Sequence, residues 1–249
     1  MDLPYYRPHH STFADAEVTR CLLQCRVPAE LAIYMVSLGL RPWLVKRRDH
    51  PRRYAANFSR PGADASIAGL YLSTQCIPTT VERTIVPRRI VFQTRSADRG
   101  WATYSSDGTF NNSHTWFEAS ILRPFLQNDG GNGQGVALED AFGRNTWWEP
   151  IDAREALREK GWDFVEAEDG CVMWRVCNNI TALMEWRNYK VEWVRGVETM
   201  VKDEKAQGKG EGFLELLKPG CIVVLWARAE RGCFNEVTAA TIEIEYEMI

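Results

Sequence analysis

The last stretch of the chain, Ala240–Met248, alternates Ile242, Ile244, Tyr246 and Met248 with Glu243, Glu245 and Glu247. Successive side chains of an extended backbone point to opposite sides, so this pattern predicts a strand with one buried face and one solvated face. The run His114–Pro124 alternates less simply. When extended, it sets Phe117, Ala119 and Ile121 on one face, which suits a core, and Trp116, Glu118 and Ser120 on the other, which could line a site. Ile67–Ser73, Arg89–Arg95, Glu185–Val194 and Gly220–Arg228 also predict strands, most of them rich in β-branched and aromatic residues. Met173-Trp174-Arg175 and Leu225-Trp226-Ala227-Arg228 again place a tryptophan close to an arginine.

Helical spacing is confined to two regions. Asp15–Cys25 carries Val18, Cys21, Leu22 and Cys25 at helical intervals, and Pro28 opens a second helix running to Leu38, with Gly39 and Pro42 as its stop signals. Asp152–Lys160 predicts a short helical insertion with Ala153, Ala156 and Leu157 on one side. Two turn-rich segments, Gln127–Gly135 and Lys202–Gly212, are expected to be flexible rims, and Gly208-Lys209-Gly210 lacks the spacing of a phosphate loop. The expected fold is mainly β: an antiparallel β-sandwich, or a jelly-roll or barrel-like variant, with short N-terminal helices. Residues 1–249 are read as a single domain, with 1–42 a helical brace and 65–249 the β-sandwich.

Composition narrows the function classes. A hydrophobic fraction of 45% with 25% charged residues is that of a soluble globule, and no apolar run is long enough to cross a bilayer, so no membrane partner is expected. A net charge of -3 lacks the basic excess of a nucleic-acid binder, so that partner is not expected either. The local cluster Lys46, Arg47, Arg48, Arg52 and Arg53 reads as a solvated loop. Seven cysteines, none in a C-x-x-C pair, show neither zinc spacing nor a paired framework, and the first residues lack a secretory core; together these predict a cytoplasmic protein with no metal. No serine-hydrolase elbow and no dinucleotide glycine motif is present, which leaves cofactor-free catalysis or plain binding.

Several segments together carry a resemblance: Val27–Leu31, Arg88–Trp101, His114–Pro124 and Leu225–Ala229. They resemble fungal proteins whose β-sandwich domain is similar to the phloem-lectin and F-box-associated domains. That resemblance implies glycan binding or the recognition of substrates for a ubiquitin ligase, with Pro28-Ala29-Glu30-Leu31 similar to a remnant of an F-box. Chains of this size and type also resemble the hetero-Diels-Alderases of tropolone sesquiterpenoid pathways, a resemblance that rests on size, β architecture and an aromatic-rich interior. It implies a cofactor-free pericyclase joining a tropolone o-quinone methide to a humulene-type alkene. The partners would then be small apolar and tropolone-like substrates, and a homodimer is allowed.

Ten tryptophans are many for this length, and each is a core residue before it is a pocket residue. Trp116, Trp174, Trp186 and Trp226 are the candidates for substrate binding, because each lies in a predicted strand near polar partners; Trp147 and Trp148 are expected to cap the sandwich. Arg123, Arg175, Arg187 and Arg228 offer fork-shaped donors suited to a planar enol such as a tropolone. Their bland alternative is a cross-strand ion pair with Glu118, Glu185 or Glu192. His114 and Glu118 are the candidate proton donors or acceptors, against a purely structural role for each.

Overall fold

The computed structural model describes residues 10–56, 66–79, 84–102, 106–125 and 137–248. Two helices come first, α1 (Phe13–Gln24) and α2 (Ala29–Gly39), followed by β1 (Trp43–Arg48), β2 (Arg52–Ala55), β3 (Ser66–Ser73), β4 (Ile85–Asp98) and β5 (Thr115–Pro124). The short helices α3 (Leu138–Ala141) and α4 (Arg154–Glu159), with a 3₁₀ turn at Pro150–Ala153 between them, precede β6 (Trp162–Phe164), β7 (Trp174–Asn178) and β8 (Arg187–Val194). A last helical turn, α5 (Phe213–Leu216), leads into β9 (Ile222–Glu230) and β10 (Phe234–Met248). No helix among the described residues is long and apolar enough to cross a membrane.

The strands form two antiparallel sheets of five. One runs β1-β10-β4-β8, with β2 also on β10; the other runs β3-β9-β5-β6, with β7 also on β5. The predicted alternation explains why they stack. Ile90 and Phe92 of β4, Val191 and Trp193 of β8, and Ile242 and Ile244 of β10 are buried with Phe117, Ala119 and Ile121 of β5 and Val223, Leu225 and Ala227 of β9 in one cluster. This is the interior of a sandwich, built from one face of each sheet. Ala16 and Val36 of the helices join the same cluster, and Phe13 and Leu23 pack against it, so α1 and α2 brace the sandwich. The start of α1 carries a reciprocal cap, in which the Thr12 hydroxyl accepts from the Asp15 N–H while Asp15 accepts from the Thr12 N–H.

The second sheet has a further core on its other face. Trp226, Val224, Leu122 and Ala68 pack there against Leu138 and Phe142 of the α3 region and Ala153 and Leu157 of the α4 region. Trp147 covers the same face, exchanging backbone hydrogen bonds with Ala68 and meeting Trp226 edge to face at 6.0 Å.

Three expectations are corrected. The Lys46–Arg53 region is a pair of strands rather than a solvated loop: Arg48 lies 2.9 Å from Asp140 and 3.7 Å from Glu139, and the Arg53 guanidinium sits 3.9 Å over the Phe234 ring. Long cationic side chains can cover a sheet with their stems when carboxylates meet their heads. The acidic face of β10 is covered rather than solvated, with Glu243 and Glu245 each 5% exposed. Adjacent segments of the fold supply their partners, Gln93 and His10 for Glu243 and Arg41 and Arg89 for Glu245. Lys202–Gly212 is a strap held against β7 rather than a flexible rim, as described below. Gln127–Gly135 lies outside the described residues.

Candidate functional site

The outer face of the β5–β9 pair changes character along its length. At one end it is the apolar second core; at the other it carries fixed charges. Register sets Trp116 opposite Arg228 and Glu118 opposite Trp226, and a bulge after Phe117 brings Arg175 of β7 opposite Glu118. Arg228 Nη1 donates to Glu118 Oε2 at 2.6 Å, Nη2 lies 2.6 Å from Glu149 Oε2 and donates to Ser66 Oγ at 2.8 Å, and Nε donates to the Ile67 carbonyl at 3.2 Å. The other oxygen of Glu118 accepts from Trp116 Nε1 at 2.9 Å and lies 3.7 Å from Arg175. Both guanidinium groups lie near the Trp116 ring, Arg175 at 4.4 Å and Arg228 at 5.1 Å.

These charges are burial-matched rather than accidental. Arg228 is 2% exposed, and a cation removed from water to that degree survives only when its donors are met by carboxylates and hydrogen bonds. Beneath it, Asn235 Nδ2 donates to the Trp116 and Arg228 carbonyls, and Asn179 Nδ2 donates to Thr115 and Asn235, so the strands carrying the network are tied together. Arg175 sits at the network's edge with its side chain 42% exposed. Partial desolvation lowers its pKa; the Glu118 carboxylate opposes this and the Arg228 charge adds to it. At the end of the same face, His114 Nδ1 lies 2.9 Å from Glu230 Oε1, and the Trp101 ring tilts over the imidazole at 5.3 Å.

Arg175 also belongs to the wall of an open groove of about 850 Å³. Met173, Trp174 and Leu216 provide apolar surface, and Glu168, Asp169, Glu204, Glu211 and Glu215 provide carboxylates. The strap forms the opposite wall. Its Gly208 N–H donates to the Val176 carbonyl at 3.0 Å, its Ala206 carbonyl accepts from the Asn178 N–H at 2.9 Å, and Trp193 Nε1 donates to the Gly208 carbonyl at 3.0 Å. Trp174 Nε1 donates to the Glu211 carbonyl at 2.8 Å. Close approach explains the glycines: a Cβ on Gly208 would collide with the Arg175 carbonyl, and one on Gly210, at φ 67°, with the Trp193 ring. On the strap, Lys209 lies 2.8 Å from Glu204, which holds the Glu204 carboxyl below the usual range.

Of the predicted residues, His114, Trp116, Glu118, Arg175 and Arg228 are brought to one end of one face, with Trp226 next along β9 in the apolar part. The others are dispersed. Trp174 points into the sandwich interior against Phe213 at 5.1 Å, so the four indoles do not enclose one chamber. Arg123 is exposed at the far end of β5, opposite Asp163; Arg187 is exposed and bound to Glu185 at 3.1 Å; Trp186 lies under Arg99 at 5.5 Å. Glu149, Ser66 and Glu230 were missed. Glu230 extends the alternation of Trp226 and Arg228 by one step and could have been found by it; Glu149 lies in an irregular segment and gave no such signal. No group of metal-binding side chains is present among the described residues, and all seven cysteines are free.

A comparison with protein-family models finds no match to this chain, and a comparison with curated proteins finds none either.

Proposed function

We propose that the chain is a lectin-like binding module that takes a hydroxylated ligand, of the carbohydrate class, in the groove beside Arg175. The observation that carries this reading is the groove's chemistry. Five carboxylates and the cations Arg175 and Lys209 stand around a small apolar floor of Met173, Trp174 and Leu216. Sugar hydroxyls donate to carboxylates and accept from guanidinium groups, while the C–H face of a pyranose covers an apolar patch. An open groove within the 300–1,000 Å³ range usual for small-molecule sites, about 850 Å³ here, suits a short chain of such units. A glycan array on the purified chain, followed by calorimetry on any hit, tests the reading. Specific binding weakened about tenfold or more by Arg175→Ala and by Glu211→Gln is expected, since each removes a charge-assisted hydrogen bond. An array without signal above background, or hits indifferent to both changes, rejects it.

A second reading is favoured by the fixing of Arg175 between Glu118 and the Trp116 ring. A guanidinium so held is a preorganised donor, and the reaction implied by the resemblance asks for one. In a cofactor-free [4+2] cycloaddition, Arg175 would donate to the oxygen of a tropolone o-quinone methide while Met173 and Leu216 align a humulene-type alkene beside it. Two new bonds form from the heterodiene and the alkene, and no electron or proton leaves the pair. Incubation of the two precursors with the chain distinguishes the readings: accelerated, stereochemically biased cycloadduct formation that Arg175→Ala removes supports the second and not the first. Seven free cysteines support a reducing compartment, and we place the protein in the cytoplasm.

A further inference from the structure

The helical hairpin that opens the chain turns one side to the sandwich and leaves the other uncovered. Ala16 of α1 and Ala32 and Val36 of α2 are buried, and Phe13 and Leu23 pack against the sandwich core. With 3.6 residues to a turn, or about 100° per residue, the opposite side of α1 carries Val18, Cys21, Leu22 and Cys25, and that of α2 carries Leu31, Tyr34 and Met35. All seven are exposed, the five larger ones by 47% to 66%. The two helices pack on each other, so their stripes form one apolar face directed away from the sheets. A helix with a solvated outer side carries charges there, whereas α2 has a single charged residue, Glu30. The five large side chains alone present roughly 500 Å² in one patch, the upper end of what a monomer leaves open. With Ala14, the two cysteines and the polar rim, the face approaches the roughly 800 Å² that each partner buries in a stable complex.

The charges beside the face say which partner fits it. Asp15 is exposed in the first turn of α1, and Arg26 is exposed just past its end, about three turns away. Turned end for end, α1 is its own complement: about a two-fold axis beside Arg20 and Cys21, Val18 meets Leu22 of a second copy while each Asp15 meets an Arg26. Opposed helices also set their dipoles favourably. We propose that this face is a homodimer interface, in which two hairpins pack into a four-helix bundle with α1 antiparallel to α1 of the second copy and the stripes of Leu31, Tyr34 and Met35 closing its sides. None of the residues lining the Arg175 groove lies on this face, so the inference stands apart from what that groove binds.

Sedimentation velocity on the full chain, over a concentration series, tests the interface. A monomer–dimer equilibrium at micromolar concentration is expected for a face of this size. Leu22→Glu and Met35→Glu, both at exposed positions, should each raise the dissociation constant at least a hundredfold with the circular dichroism spectrum unchanged, because each would bury a carboxylate without a partner. Arg26→Glu should raise it about fivefold, and less at high salt. The register has its own readout. Cys21 lies next to the axis, whereas the two Cys25 residues stand about 14 Å apart along it at 1.5 Å of rise per residue. Mild oxidation with diamide should therefore link the copies through Cys21 and leave Cys25 and the exposed Cys76 unlinked, read by peptide mass spectrometry. A chain that stays monomeric at high micromolar concentration overturns the proposal and leaves the face to a different protein or a lipid surface. A dimer indifferent to both Leu22→Glu and Met35→Glu, or one linked through Cys25 or Cys76, overturns it as well.

Discussion

Phe117, Ala119 and Ile121 point from β5 into the space between the two sheets, where they join one apolar cluster. Trp116, Glu118 and Ser120 point the other way, to a face that is apolar around Trp226 and ionic around Arg228. The alternation that creates both faces is the same, and both are buried. They differ in what their contacts demand. Dispersion and the hydrophobic effect are non-directional, so the inner face needs volume and shape. The ionic end of the outer face needs each donor to meet a particular acceptor, and the loss of one member strands the others.

Truncating the inner face should have the largest effect. Phe117→Ala is expected to cost about 4 kcal/mol, the usual scale for a buried phenyl, measured by urea denaturation. Glu118→Ala should cost about 3 kcal/mol by leaving Arg228 short of a carboxylate, and the double variant Glu118→Leu with Arg228→Met should recover most of that loss. No recovery in the double variant would mean that the outer face is held by shape, as the inner one is. Gly210→Ala should cost about 2 kcal/mol, because a side chain there meets both an unfavourable φ and the Trp193 ring. Its sharper readout is ligand binding, which should fall with the strap displaced even where the fold survives.

The smallest effect concerns Asp98, next to the His114 end of the ionic face. Burial raises its pKa, against the hydrogen bond from the Ala182 N–H at 2.9 Å and the charge of His114. The folded chain therefore keeps this proton to higher pH than the unfolded chain does. Stability contributed by Asp98 is full below the ordinary carboxylate pKa and is lost as pH rises through the raised value. Asp98→Asn removes this loss, so its stability relative to the parent should climb as pH rises above the ordinary carboxylate pKa. A flat difference across that range would show that the carboxyl titrates alike in both states.

Much of the candidate site was legible because alternation along β5 and β9 is a local property. It sets Trp116 and Glu118 on one face of β5, and the register of the structure brings Trp226 and Arg228 of β9 opposite them. Arg175 could be named from its tryptophan neighbour, but its approach to Glu118 depends on a bulge that no spacing announces. Glu149 reaches Arg228 from a connection with no periodic pattern, so nothing in its surroundings marked it. The basic run of β1 and β2 misled for a related reason: arginine stems suit a strand as well as a loop, and the deciding partners, Glu139 and Asp140, are distant in sequence. Lys202–Gly212 reads as flexible from its glycines, whereas in the fold Gly208 and Gly210 permit close packing.

Strand periodicity, the two opening helices and the supply of indoles, guanidinium groups and carboxylates are local properties, because they depend on side chains a few residues apart. Tertiary structure decided which of those groups meet. It paired Arg228 with Glu118 and Glu149 and laid the strap beside Arg175 to make a groove. Those outcomes follow from register, a bulge and long-range packing, where the cost of burying a charge is settled only by what lies across the fold.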